Sequence, residues 1–342
     1  MLFITGFNGY IGRNLVEHLS GQSFTISGCD AFYYEGLTPQ TINSRFIKKD
    51  IRDLEVSDLQ GSSCLIHLAG LSNDPLCDLD ESLTFEINYF ATCRLAEIAK
   101  KSGVKKFIFM SSQSMYGISE SNIDLSEDDP KLPITAYAKS KLYAESFLNT
   151  LSNENFKVIC LRPSTVFGVS ASFRSDIVFN NLLSSAYFLK NIILKTDGSP
   201  FRPVISINDV CKAISFFISA KTPNNFNYYN LGIWDGSKNI NYTVKELAQT
   251  ASEISSSPIT IGTPDPDQRS YSVDFRKLFN EYSSNLDSLP CELLSEHGEK
   301  VLSFIDSLDI DFDTFKSKTS RLTELQSKIN ANIITENLRV IN

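Results

Sequence analysis

The 342-residue sequence has little of what metal sites, disulfide frameworks and membrane spans require. Its three histidines, His18, His67 and His297, are too few and too widely separated to suggest a metal. The seven cysteines are odd in number, scattered and free of Cys-x-x-Cys spacing. They therefore indicate reduced structural thiols rather than a zinc site or disulfides. No apolar run approaches the roughly 20 residues of a membrane span, so we expect no membrane partner.

Positive charge is also in deficit. The net charge is -8 and the isoelectric point is near 5.1, which argues against nucleic acid or an anionic membrane as the main partner. A hydrophobic content of 42% with 21% charged residues is typical of a globular protein. Because the chain starts directly on an apolar, strand-like run, we expect no signal peptide and a cytoplasmic location.

A glycine-rich turn follows that first run, Leu2–Ile4, and leads into a helical pattern that starts at Ile11. This strand–turn–helix order is the context in which a glycine loop cradles a diphosphate. Gly6 permits the tight turn, Gly9 allows backbone N–H groups to approach the phosphates, and Gly12 allows close packing of helix on sheet. The spacing is Gly-x-x-Gly-x-x-Gly rather than the Gly-x-Gly-x-x-Gly of ordinary dehydrogenases.

An acidic residue closes the next predicted strand, Phe24–Asp30. A carboxylate at Asp30 can accept hydrogen bonds from both hydroxyls of an adenosine ribose and repels a 2′-phosphate. Residues 31–36 contain no lysine or arginine to attract that phosphate, so NAD is favoured over NADP. The alternative reading is an ordinary surface aspartate at a strand end.

Strand-like and helical patterns alternate through the first half of the chain, which predicts a Rossmann-type, doubly wound parallel α/β sheet. The remaining predicted strands are Phe46–Asp53, Cys64–Gly70, Lys106–Ser112, Lys157–Arg162, Ile192–Lys195, Val204–Ile207 and Tyr228–Leu231; the helices are 82–102, 136–151, 173–190 and 209–220. We expect residues 1–168 to form a dinucleotide-binding domain to which 203–232 return. Residues 169–202 and 233–342 then form a smaller C-terminal substrate-binding lid. The tail, 312–339, is predicted to be mostly helical.

A tyrosine and a lysine lie at the start of the predicted helix 136–151. The spacing of Tyr137 and Lys141 places both on one face of that helix. A free phenol has a pKa of about 10, and a nearby ammonium favours the phenolate, so such a tyrosine can take or return a hydroxyl proton. Ser112 lies at the end of the predicted strand Lys106–Ser112, at the carboxyl edge where this kind of sheet places its sites. The spacing Tyr-x-x-x-Lys alone often occurs by chance on helices.

With these elements in order, the chain closely resembles the extended short-chain dehydrogenase/reductase family that acts on nucleotide sugars, from Met1 to about Lys277. The resemblance implies a catalytic triad of Ser112, Tyr137 and Lys141. It also implies NAD contacts from residues of the loops and strand ends: Gly6, Gly9, Tyr10, Ile11, Gly12, Asp30, Asp50, Ile51, Leu68, Ala69, Asn88, Tyr137, Lys141 and Arg162. We expect the protein to be a homodimer.

Arginines of the predicted lid are candidates for the diphosphate of a nucleotide sugar, because a guanidinium pairs with two oxygens at once. Arg202 lies in a stretch that resembles the substrate-domain signature of the family, and Arg174 and Arg269 are further candidates. Asn180 could bind a substrate oxygen or be structural. Ser112, Gln113 and Ser114 are the substrate-side candidates of the first domain.

The residues after Ser112 discriminate between reactions of the family. Related 4,6-dehydratases carry Asp-Glu there, whereas this chain has Gln113 and Ser114, which do not titrate near neutrality. Reductases of this superfamily usually use NADPH, which Asp30 disfavours. The sequence therefore favours an epimerase working through a keto intermediate. An NAD-dependent dehydrogenase, decarboxylase, reductase or dehydratase remains an alternative, and a non-catalytic NAD-binding sensor is a further one.

Overall fold

The computed structural model describes residues 1–38, 44–72, 77, 80–118, 123–262, 270–282 and 293–341. Within these ranges the largest element is a seven-stranded sheet, and each of its neighbouring pairs is parallel. Its strands are β1 (Leu2–Thr5), β2 (Ile26–Asp30), β3 (Phe46–Lys48), β4 (Cys64–His67), β5 (Lys106–Met110), β6 (Lys157–Pro163) and β7 (Phe226–Leu231). Their order across the sheet is β7-β6-β5-β4-β1-β2-β3. The predicted doubly wound parallel fold is confirmed.

Helices connect these strands and build the second half of the molecule. They are α1 (Tyr10–Ser20), α2 (Glu81–Phe85 and Ala91–Lys101, joined by a π turn at Glu86–Phe90), α3 (Ala136–Leu151), α4 (Val178–Leu189), α5 (Ile207–Ser219), α6 (Val244–Ser255), α7 (Arg276–Tyr282), α8 (Leu294–Ser307), α9 (Phe312–Thr319) and α10 (Arg321–Asn330). Short 3₁₀ helices cover Ile51–Asp53, Val56–Leu59 and Gln113–Tyr116. Among the helices that the structure describes, none is both long and apolar enough to cross a membrane.

Short strands lie outside the main sheet and correct one expectation. Val204–Ser206 does not rejoin that sheet but pairs with Thr165–Phe167. Its pairing partner follows directly after β6, so the two short strands form a separate parallel pair beyond the end of that strand. The other small pairs are Ile192–Leu194 with Ile259–Ile261, Ile233–Trp234 with Asn239–Ile240, and Asp124–Leu125 with Ser272–Val273.

Apolar residues on both faces of the sheet form two hydrophobic clusters, as expected for buried parallel strands. A third cluster fills the second half and joins α4, α6, α8 and α9 through residues such as Phe179 and Val301. The carboxyl ends of β1, β2, β3, β4 and β5 therefore meet at one edge of the sheet, with the second half of the chain beside it. Ligands bind at that edge in open α/β sheets.

Candidate active site

The glycine loop between β1 and α1 packs closely on the neighbouring backbone of the protein. Gly6 has a positive φ of +74°, and a Cβ there would lie 2.7 Å from the backbone N of Ala69. A Cβ on Gly12 would lie 2.1 Å from the carbonyl O of Gly6. The N-cap of α1 is Gly9, which has no side chain to accept hydrogen bonds from the first-turn amides. These amides and the helix dipole suit a diphosphate, so the loop fits a dinucleotide.

Asp30 ends β2 and is held by backbone amides. Its carboxylate accepts hydrogen bonds from the N–H of Asn8, at 3.0 Å, and of Phe32, at 2.7 Å. Burial raises the pKa of the Asp30 carboxyl, and these two hydrogen bonds oppose that rise. The acid therefore faces the glycine loop, at the place expected for a ribose-binding carboxylate.

Arg13 is a residue of this region that the sequence reading missed. Its buried guanidinium donates to Asn8 Oδ1 at 2.8 Å, to the carbonyl of Glu35 at 2.8 Å and to that of Thr38 at 2.6 Å. It thereby ties the glycine loop to the segment that follows β2. Arg13 belongs to no recognisable sequence motif, so the sequence alone did not indicate this role.

Tyr137 and Lys141 lie on the first turns of α3. Thr135 caps this helix by accepting a hydrogen bond from the N–H of Ala138, so the helix starts at Ala136. The Lys141 Nζ lies 5.9 Å from the centre of the Tyr137 ring and donates to the carbonyl of Met110 at 2.9 Å. Burial lowers the pKa of Lys141 to about 8. Lys141 thus connects the tyrosine to the end of β5.

Ser112 follows β5 and caps a 3₁₀ turn. Its Oγ accepts a hydrogen bond from the N–H of Ser114 at 3.1 Å and lies 2.9 Å from Ser114 Oγ. Both serines are partly exposed. Because Lys141 donates to the carbonyl of Met110, two residues before Ser112, the start of α3 lies beside the end of β5 that carries Ser112.

Gln113, in contrast, points into the protein and is fully buried. Its amide NH₂ donates to the carbonyls of Arg162, at 2.9 Å, and Leu231, at 3.0 Å. Its amide oxygen accepts from Ser164 Oγ at 3.1 Å. The side chain thus joins the loop after β5 to the ends of β6 and β7, and the structure does not bring it to the substrate cleft.

Arg162 lies in a buried ion-pair network. Its guanidinium donates to both carboxylate oxygens of Glu145, with the shortest contact at 2.5 Å, and to the hydroxyl of Tyr116 at 3.1 Å. Glu145 strongly favours the charged form of Arg162 and so raises its pKa, although burial opposes this. Nearby, burial raises the pKa of Glu127 to about 6. The Arg162 guanidinium is therefore engaged within the protein, and its cofactor contact stays a prediction.

Two further predicted substrate residues are engaged within the protein. The Arg174 guanidinium donates to both carboxylate oxygens of Asp176 at 2.9 Å and to Ser72 Oγ at 2.9 Å. Asn180 is fully buried, accepts from the N–H of Gly168 at 3.1 Å and donates to the carbonyl of Arg174 at 3.0 Å. These contacts favour the structural reading of Asn180, which the sequence had left open.

Arg202 is partly exposed, and one of its guanidinium nitrogens donates to the carbonyl of Phe201 at 2.9 Å. Beside it lies a cavity of about 480 Å³, which Phe201, Asp124, Asn241 and other residues line. The third arginine candidate, Arg269, lies outside the described residues.

The other predicted cofactor residues surround the same edge of the sheet. Asn88 lies in the π turn of α2, and its amide exchanges two hydrogen bonds with the backbone of Leu71, at 2.8 and 2.9 Å. That pairing holds the loop after β4, which contains Leu68 and Ala69.

Asp50 follows β3, and hydrogen bonds from Arg52 lower the pKa of its carboxyl in spite of burial. The remaining contacts, Tyr10, Ile11 and Ile51, lie at the starts of α1 and of the first 3₁₀ helix.

His67, at the end of β4, is a second residue that the sequence reading did not use. Its Nδ1 lies 2.7 Å from Thr5 Oγ1 and its Nε2 lies 2.8 Å from Thr92 Oγ1. Burial lowers its pKa to about 3, so the ring is neutral and joins β1, β4 and α2.

Several proteins with similar sequences are nucleotide-sugar enzymes. The chain is 28% identical to a UDP-glucose 4-epimerase of Mycolicibacterium smegmatis over 232 residues, which are 64% of this chain and 72% of that protein. It is 26% identical to a dTDP-D-glucose 4,6-dehydratase of Mus musculus over 271 residues, 75% of this chain and 74% of that one.

Among solved structures, MoeE5 in complex with UDP-glucuronic acid and NAD superposes with a TM-score of 0.76 at 25% identity, covering 90% of this chain and 99% of MoeE5. The family model for the NAD dependent epimerase/dehydratase family matches residues 2–232. That span includes the glycine loop, Ser112, Tyr137 and Lys141. The chain belongs to the NAD dependent epimerase/dehydratase family.

Proposed function

We propose that this enzyme is an NAD-dependent nucleotide-sugar epimerase that inverts carbon 4 of the sugar. The observation that carries the proposal is the loop after β5. Its serine is followed by a buried, fully hydrogen-bonded Gln113 and by Ser114, so this loop supplies no acid–base pair for expelling a hydroxyl. The epimerase and MoeE5 relatives support a substrate that carries a uridine diphosphate.

The residues in the site have separate roles in this proposal. Tyr137 takes the proton of the sugar hydroxyl that is oxidised and later returns it. Lys141 favours the deprotonated tyrosine by its charge, and Ser112 donates a hydrogen bond to the same sugar oxygen. Arg202 binds the diphosphate of the substrate as a charge-assisted donor.

The glycine loop, Asp30 and Asn88 belong to the cofactor side. Gly6, Gly9 and Gly12 let the loop pack closely on the protein backbone, and its amides bind the diphosphate. Asp30 accepts hydrogen bonds from the ribose hydroxyls, and Asn88 fixes the loop after β4. NAD, when bound, supplies reversible hydride transfer. Lys141 stays bonded to Met110 and so holds its charge next to Tyr137 while the sugar turns over.

A dehydratase is the second candidate, because one relative carries that activity. Dehydration needs a group that protonates the leaving hydroxyl and a base that removes a carbon-bound proton. The positions after Ser112 provide neither, which is why we place epimerisation first.

We also propose that the protein is a cytoplasmic homodimer. Aromatic side chains of α2 and α3 form one cluster, in which the centre of the Tyr89 ring lies 4.9 Å from that of Phe90 and 6.1 Å from that of Tyr143. Phe90 is 61% exposed and Tyr143 is 47% exposed. A contiguous aromatic surface is costly in water, and two copies of a two-helix face can cover each other by a twofold axis.

The test is incubation of the full chain with a panel of UDP- and dTDP-hexoses and UDP-uronic acids, followed by mass spectrometry and NMR of the products. The proposal predicts an isomer of unchanged mass that differs at carbon 4. A product that has lost water identifies a dehydratase, one that has lost carbon dioxide identifies a decarboxylase, and an unchanged panel supports a non-catalytic sensor.

A further inference from the structure

The C-terminal strap, residues 321–341, consists of α10 and the extended segment that follows it. It lies beyond the part of the chain that the family model matches. We infer that the strap is a working part of the cofactor site: it fastens the loops after β2 and β3 and thereby slows the release of NAD. This inference rests on NAD binding in the proposed function and not on the reaction of the sugar.

The helix of the strap holds the loop that follows Asp30. Glu324 Oε1 accepts a hydrogen bond from the N–H of Glu35 at 2.8 Å, and Lys328 Nζ lies 3.3 Å from Glu35 Oε1. The Arg321 guanidinium lies 4.1 Å from the ring centre of Tyr34. Arg321 is buried and Tyr34 is half-buried, so their contact is internal, whereas the Glu35 side chain that faces Lys328 is exposed.

The extended segment of the strap holds the loop that follows β3. The carbonyl of Leu338 lies 2.5 Å from the hydroxyl of Tyr33 and accepts a hydrogen bond from Arg52 Nη2 at 2.6 Å. The same Arg52 nitrogen donates to Asp50 Oδ2 at 2.7 Å, and the Tyr33 hydroxyl lies 2.9 Å from that oxygen. One carbonyl of the strap therefore completes a network that joins the loops after β2 and β3.

Apolar contacts and an ion pair support the same segment. Ile334 and Leu338 are buried in the hydrophobic cluster that contains Ile51 of the loop after β3. Arg339 Nη1 lies 2.5 Å from Asp53 Oδ2. Burial of two aliphatic side chains offsets the entropy lost when a terminal segment becomes ordered.

The strap also reaches the second half of the molecule. Arg321 Nη2 donates to the carbonyl of Ser172 at 2.8 Å and to its Oγ at 2.6 Å. Ser172 follows β6 and precedes α4, on the predicted lid side. Thus Arg321 links the loop after β2 to the lid.

The position of the strap explains how it slows the release of NAD. In a doubly wound sheet the diphosphate lies at the loop after the first strand, and the adenosine lies over the ends of the neighbouring strands. Here those are the ends of β2 and β3, where Asp30, Asp50 and Ile51 lie. Because the strap fastens both loops, the adenosine leaves only when the strap opens locally, which makes release slow.

The experiment uses the full chain with Leu338→Ala and Arg339→Gln together, loaded with NADH and chased with excess NAD. We expect NADH release, followed by its fluorescence, to become about ten times faster, because a loss of retaining contacts appears mainly in the dissociation rate. The matched control is Ile333→Ala, an exposed residue of the same segment, which should leave the rate unchanged.

Arg339→Gln alone is the second variant, since it removes the partly exposed ion pairs of Arg339 with Asp53 and Asp50 and spares the core. A smaller but measurable acceleration supports the strap. An unchanged rate in both variants overturns the inference, and slower release or tighter binding would show that the strap competes with the adenosine. The measurement needs no sugar, so failure of the epimerase proposal leaves its result intact, and the reverse also holds.

Discussion

Gln113 joins the ends of three neighbouring strands with a single amide. Both of its N–H bonds go to backbone carbonyls, those of Arg162 and Leu231, and a carboxylate could donate to neither. The sequence showed that Gln113 cannot act as an acid or a base, but it did not show in which direction the side chain points. Residue type shows what a side chain can do, whereas its placement depends on strands that lie far apart in the chain.

Gln113→Asp should therefore destabilise the fold and should not create a dehydratase, even when combined with Ser114→Glu. A carboxylate facing two carbonyl oxygens in a buried position costs on the order of 3–5 kcal/mol. Thermal unfolding measures this loss, and product analysis checks for dehydration. Gln22→Asp, at an exposed glutamine, is the control. A stable Gln113→Asp protein would show that the hydrogen bonds of the Gln113 amide contribute little to stability.

Tyr137 is the residue on which the chemistry depends. Tyr137→Phe removes the phenolic proton acceptor and keeps the ring, so turnover should fall by about 100- to 10,000-fold while NAD affinity stays close to normal. Steady-state kinetics and cofactor titration measure the two quantities. Tyr187→Phe, whose hydroxyl bonds to Asp306 on another helix, is the matched control. Near-normal turnover of Tyr137→Phe would exclude this tyrosine as the proton acceptor.

At the scale of elements, local signals predicted the helices and strands best where their ends carry caps. Helix 136–151 has its predicted bounds because Thr135 caps its start. By contrast, the helix expected over 173–190 starts only at Val178, because residues 173–177 form an irregular segment in which Arg174 pairs with Asp176. The strand Phe46–Lys48 is also shorter than predicted, since Asp50 caps a 3₁₀ turn. Both differences come from side-chain contacts between residues two positions apart, Arg174 with Asp176 and Asp50 with Arg52, which a helical or strand-like hydrophobic pattern does not reveal.

The aromatic face of α2 and α3 gives a prediction at this scale. Phe90→Glu places a charge in the centre of the proposed dimer interface and should shift the protein to a monomer, because an unpaired charge is expensive to bury. Sedimentation velocity measures the assembly. Ile261→Glu, at a residue that is 72% exposed on another face, should leave the assembly unchanged. If the Phe90→Glu protein is still a dimer, the interface lies on another surface.

At the scale of the whole molecule, the sequence predicted the family, the NAD cofactor and the parallel sheet, because these depend on short motifs in a fixed order. The division into residues 1–168 with 203–232, and a lid of 169–202 and 233–342, remains a prediction. The strap was not predictable, since its contacts join residues that lie about 300 positions apart, such as Tyr33 and Leu338. The buried roles of Arg174 and Asn180 could not be read from the chain either, because they include contacts with the distant residues Ser72 and Tyr10.

The central claim is that the sugar is oxidised and reduced within one active site, without net change in the cofactor. The measurement that tests it most directly uses a UDP-hexose with deuterium at carbon 4 and follows the product by mass spectrometry and NMR. We predict an isomer that keeps the deuterium at carbon 4, with no continuing accumulation of NADH. Loss of the label to solvent, loss of water from the sugar, or stoichiometric NADH release would contradict the proposed epimerisation.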